Sequence, residues 1–160
     1  MATKKRATTK AVDTDIIDIK IGGIQKQKYR INGDKILELN IQDMNMPSRL
    51  QEVMPKLDAL EAELAEAKKQ QSDEDGVDLS EVAKVLTSID TKMREYVDYI
   101  FDSNVSEVCV PSGNMFDLHN GMFTYEYIIE ALGDLYEKTI SKEYKARLLK
   151  MKKHTEKYGK

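Results

Sequence analysis

Two stripes of apolar residues constrain this chain more than anything else in it. The first falls at Leu50, Val53, Leu57, Leu60, Leu64 and Ala67, with spacings that alternate between three and four. After an acidic stretch, Val82, Leu86, Ile89, Met93, Tyr96 and Ile100 repeat the rhythm. Such spacing gives each of two α-helices a single apolar side. Each stripe is too short to hold as an isolated coiled coil. Joined by a short polar linker, the two should pack antiparallel and cover each other over residues 47–102. Pro47 suits a first helical turn, where its missing N–H is no loss. Pro55 should kink the first helix or delay its regular start. Ala62, Ala65 and Ala67 among Glu and Lys favour helix strongly. An intermolecular bundle uses the same pattern, so the stripes leave a homo-oligomer open.

The segment before the stripes alternates instead. Ile17, Ile19 and Ile21 with Asp18 and Lys20 between them have the period of a half-buried strand. Gly22-Gly23 follows as a hairpin-compatible break. In the next run, Gln27, Tyr29 and Ile31 share one face and Lys26, Lys28 and Arg30 the other; Leu37, Leu39 and Ile41 mark a third. Asn32-Gly33-Asp34 lies between these two runs, and Asn-Gly favours the type I′ turn that matches strand twist. The reading is a three-stranded antiparallel meander over residues 15–41. A phosphate-binding glycine loop is the competing reading of these glycines, and neither G-x-G-x-x-G nor the Walker spacing is present.

Candidate chemistry is sparse. The linker Ser72-Asp73-Glu74-Asp75-Gly76-Val77-Asp78 invites a calcium loop with its glycine at Gly76. Such a loop would start at Gln71 and end at Val82, without a carboxylate at either end. Glu81 is one residue out of register, and a solvated helix-hairpin tip is the better reading. Residues 103–122 contain Pro111, Gly113 and Gly121 and read as a long loop. Cys109 and His119 could form a nucleophile pair, and Asp117 with His119 could supply two metal ligands. Neither set carries a local signature or a full ligand count. Cys109, between Val108 and Val110, reads as a small buried apolar residue. No catalytic, metal or cofactor residue is expected.

After the loop, Tyr125, Ile128, Ile129, Leu132, Leu135, Tyr136, Ile140, Tyr144, Leu148 and Met151 set a helix over residues 123–154. Its second half gains Lys142, Lys145, Arg147, Lys150, Lys152 and Lys153, with Lys157 beyond them. Cations suit a helix C-terminus, but this many exceed what capping requires. The first six are the candidate partner-binding residues. The overall charge of -3 conceals the layout. Residues 1–10 carry four cations and no acid, residues 138–160 nine cations against two acids, and the middle 12 cations against 26 acids. Residues 1–14 should be a disordered basic arm, because they hold too little apolar surface to offset ordering. The arm serves solubility, or touches an acidic partner or nucleic acid. A nucleic-acid site usually adds aromatics or a known motif, and the basic end has only Tyr144 and Tyr158. An acidic protein surface, including this chain's own middle in another copy, is the alternative. One Cys excludes an intramolecular disulfide framework, and no apolar run is long enough to span a bilayer. The basic N-terminus lacks the apolar core of a secretory signal.

The fold expected is α+β and mainly helical, one domain over residues 15–160. It consists of the sheet, the helical hairpin, a long loop over residues 103–122 and a basic C-terminal helix. Four segments carry a resemblance: Lys28-Tyr29-Arg30-Ile31-Asn32-Gly33-Asp34 with Ile36-Leu37-Glu38-Leu39-Asn40; Met93-Arg94-Glu95-Tyr96-Val97-Asp98-Tyr99-Ile100-Phe101-Asp102; Val108-Cys109-Val110-Pro111; and Lys152-Lys153-His154-Thr155-Glu156-Lys157-Tyr158. From about residue 15 onward the chain resembles a family of small proteins encoded among the tail genes of bacteriophages and prophages of Gram-positive bacteria. The resemblance implies a non-enzymatic tail assembly chaperone in the host bacterial cytoplasm, binding tape-measure or tail-tube protein by reversible contact. It leaves two alternatives: a structural component of the virion tail or neck, and a small nucleic-acid-binding regulator that uses the basic termini.

Overall fold

The computed structural model describes residues 15–22, 26–73 and 79–158. The basic arm, the second glycine of Gly22-Gly23 and the centre of the acidic linker lie outside them. The fold is mainly helical, with two small antiparallel strand pairs.

Strands β1 (Gln27–Ile31) and β2 (Lys35–Leu39) pair antiparallel, with Tyr29 opposite Leu37. Asn32 and Gly33 take φ of 50° and 78°, the signs a type I′ turn requires, and the Asp34 N–H donates to the Ile31 carbonyl at 3.2 Å. Leu37, Leu39 and Ile41 are buried, so the inward face of the ribbon is the one the alternation predicts.

The third strand does not form. Residues 16–21 make no ladder, and Ile16, Ile17, Ile19 and Ile21 are 72–84% exposed. Alternation reports which residues share a face, not whether an apolar surface is available to cover it. Only Tyr29 and Ile31 of β1 are even half-buried, so β1 offers those isoleucines little to pack on.

Helices α1 (Met46–Asp73) and α2 (Leu79–Phe101) form the expected hairpin. Tyr99 bonds Glu52, the Lys56 ammonium lies over the Tyr96 ring, and Lys92 pairs with Glu63. Partner numbers fall along one helix as they rise along the other, so the pair is antiparallel. Pro55 sits exposed within α1 and does not delay its start. Between the helices lie Val53, Leu57, Leu60 and Leu64 against Ile89, Met93, Val97 and Ile100, all buried. Each such side chain contributes roughly 1.5–3 kcal/mol by leaving water. α2 closes with a Schellman pattern. Asp102 takes φ +48°, its N–H reaches the Tyr99 carbonyl, and the Ser103 N–H reaches the Asp98 carbonyl.

The long loop is not structureless. It holds helix α3 (Val105–Cys109) and a short ribbon of β3 (Leu118–His119) with β4 (Met122–Phe123). Three polar residues of α2, one turn apart, fix it. Asp90 accepts from the Met115 N–H at 2.8 Å. Arg94 donates to Asp90 and to the carbonyls of Val110 and Gly113. Asp98 accepts from the Ser106 N–H and hydroxyl. These anchors bury Val105, Val110, Met115 and Phe116 in the same core as the helical hairpin.

Helix α4 (Thr124–Tyr158) begins one residue later and runs four further than the apolar pattern indicates. Its first half joins the core through Tyr125, Ile128, Leu132 and Tyr136.

Candidate functional site

Phe116, Phe123 and Tyr125 set the start of α4 by packing ring against ring, with centroids 5.5–5.9 Å apart. Glu126 reaches back to accept the Phe123 N–H at 2.8 Å, half of a capping box. The Tyr125 hydroxyl bonds Glu61 of α1, and burial together with that carboxylate pushes its pKa up. Three turns on, the fully buried Tyr136 ring packs on Phe101 at 5.8 Å. The root of α4 is therefore held on several sides.

Its distal half is not. Every residue from 141 to 153 whose side chain is described is exposed, including Leu148 at 47% and Leu149 at 62%. At 1.5 Å per residue, the 18 positions from Ser141 to Tyr158 extend about 27 Å beyond the core. One tie to the body is Gln42, whose side-chain amide donates to Glu143 at 3.4 Å. Beside it lies a cleft of about 440 Å³, lined by Gln42, Met44, Ile140, Glu143, Ala146, Arg147 and Lys150.

The structure divides four of the six candidate cations between two sides of the helix. Arg147 and Lys150 flank the cleft, with the exposed Met44 across from them. Lys142 and Lys145 line a shallow depression with Asp134, Glu137 and Ser141. Lys152 and Lys153 continue beyond both. Among the described residues, none of the six forms an ion pair. Cations held in no ion pair among the described residues, beside exposed Leu and Met side chains, can attract an acidic surface at long range and then bury apolar area against it.

The loop residues are arranged otherwise. Cys109 is half-buried, and burial together with Asp98 pushes its thiol pKa up, opposite to what a thiolate nucleophile requires. His119 is exposed on β3, where its carbonyl accepts from the Tyr127 hydroxyl. Asp117 binds the Asn114 N–H at 2.9 Å and so serves a turn. Among the described residues, no group of three or more His, Cys, Asp or Glu is placed to hold a metal. No helix among them is long and apolar enough to cross a membrane.

Gln42 and Met44 were not singled out by the sequence pattern, because only tertiary contact puts them beside α4. The Asp90, Arg94 and Asp98 set also escaped it, although its spacing of four and four was readable as one helix face. No family model, curated protein or solved structure matches this chain.

Proposed function

We propose that the chain is a non-enzymatic binding protein that works through the distal half of α4, and that its partner is a bacteriophage tail protein. In this reading it holds tape-measure or tail-tube subunits reversibly in the host bacterial cytoplasm before they polymerise, as a tail assembly chaperone. The observation that carries the reading is the exposure of the described side chains over residues 141–153, where cations and apolar side chains stand together on a helix whose root is fixed. A binding partner gains both terms at that surface without first unfolding anything. The resemblance of the chain to tail-gene proteins supplies the class of partner. Retention in the finished tail as a structural component is the runner-up, and it uses the same surface.

The test is a pull-down with the tagged chain from cells producing particles, read by mass spectrometry. Tape-measure or tail-tube protein should be recovered, and the Arg147→Glu, Lys150→Glu double variant should lose it while melting at the same temperature as the parent. Recovery of neither tail protein overturns the reading. Purified particles that contain the chain in stoichiometric amount decide for the structural alternative.

A further inference from the structure

The side of α4 that faces away from the core carries a second pattern. Glu130, Asp134 and Glu137 precede Ser141, and Lys145, Leu148 and Lys152 follow it. All seven are exposed. Their spacings run four, three, four and then four, three, four, so the positions are symmetric about Ser141 and occupy one helix face. Charge is reversed about the same point at two of the three mirrored pairs, Glu130 with Lys152 and Glu137 with Lys145, while Asp134 is mirrored by Leu148 and the exposed Lys138 lies at the edge of the face. We infer that two copies of this chain associate through this face, α4 against α4, antiparallel, with the two-fold axis at Ser141.

The argument is one of charge complementarity under symmetry. A two-fold contact must be complementary to itself: if position i meets j, then j also meets i. Antiparallel pairing about Ser141 puts Glu130 opposite Lys152 and Glu137 opposite Lys145, each twice, four oppositely charged pairs in all. Parallel pairing would set acid against acid and cation against cation along the whole face. Asp134 falls opposite Leu148, a pair that gains nothing electrostatically and leaves Leu148 to cover surface. The exposed face spans 23 positions, about 33 Å of helix, long enough to specify orientation. It lies opposite the cleft that holds Arg147 and Lys150, so a dimer on this face occupies Lys145, Leu148 and Lys152 and leaves the cleft open to the partner proposed above.

Sedimentation equilibrium of the full chain over a range of concentrations tests it. A dimer is expected, weakened by salt. Glu137→Lys alone and Lys145→Glu alone each create two like-charge pairs per dimer and should weaken association by about tenfold or more. The double variant Glu137→Lys, Lys145→Glu restores opposite charges and should restore the dimer. Replacing the mismatched acid, Asp134→Leu, should tighten it. All three substitutions are at exposed positions, and matching thermal melts of the four dilute variants establish that each is folded. A chain that stays monomeric throughout, a dimer indifferent to both single reversals, or a double variant no better than the singles overturns the inference. So does a dimer that responds instead to Arg147→Glu with Lys150→Glu, which places the contact on the cleft.

Discussion

Replacing Arg94 by Met keeps most of the aliphatic stem and removes the guanidinium, which isolates what that group does for the loop. In the native chain the guanidinium binds Asp90 at 2.8 Å, the Val110 carbonyl at 2.8 Å and the Gly113 carbonyl at 3.0 Å. Gly113 is exposed, so its carbonyl returns to water at little cost. Val110 is buried, and stranding its carbonyl costs about 1–2 kcal/mol. Asp90 is only 17% exposed and keeps its bond to the Met115 N–H, so losing the cation costs it about 1–2 kcal/mol more. The total is about 3 kcal/mol, which for a chain of this length lowers the melting temperature by roughly 6–12 °C. Scanning calorimetry reads the shift, and urea unfolding gives the free energy. Asp90→Asn measured alone and together with Arg94→Met completes a cycle. The double variant should fall short of the summed singles by about 1 kcal/mol, because the two groups share one interaction. A loss below about 0.5 kcal/mol for Arg94→Met, or strict additivity in the cycle, would refute the view that this cation holds the loop in place.

Two further outcomes follow from single positions. The Tyr136 hydroxyl is buried with no hydrogen-bond partner among the described residues, and burial, with Asp43 adding to it, raises its pKa from 10.0 to about 12. The folded state thus favours the neutral phenol: its contribution is complete below pH 10 and is lost as pH rises from 10 towards 12. Tyr136→Phe should leave neutral-pH stability unchanged or raise it by up to about 1 kcal/mol, and should flatten the alkaline limb of a stability-against-pH curve. At Gly113, φ is +100° and an added Cβ would stand 3.0 Å from Asp117 Oδ2, the oxygen that accepts the Asn114 N–H. Gly113→Ala should cost about 1–3 kcal/mol in urea unfolding, whereas Gly22→Ala, in open space, should be nearly silent.

Much of this fold was readable because its strongest signals are local and periodic. The stripe from Leu50 to Ala67 and its partner from Val82 to Ile100 became the two faces of one seam, and Asn32-Gly33 turned where its backbone preference said it would. What was not readable depended on surfaces that a one-dimensional pattern cannot report. The isoleucines at 17, 19 and 21 alternate as a strand should, yet they stay exposed, covered by none of the described residues. Residues 103–122 look irregular because their order comes from side chains of α2, 16 to 25 positions upstream of their partners in three cases. The cations at the end of α4 were legible as a group, but their division between two sides follows from where the core ends at Tyr136 and Ile140. The cleft with Met44 was out of reach, since it joins segments about a hundred residues apart.

The fixed root and exposed end of α4 make this helix a lever as well as a surface. About 33 Å of helix from Tyr136 to Tyr158 converts a rotation of 5° at Tyr136 into a movement of roughly 3 Å at its end. Whatever binds near Lys152 therefore exerts its greatest torque on the Tyr136–Phe101 contact and on the hydrogen bond between Gln42 and Glu143. Loading at the end of the helix is felt in the core beside the Asp102 turn, and a change in packing there is displayed, enlarged, at the far end.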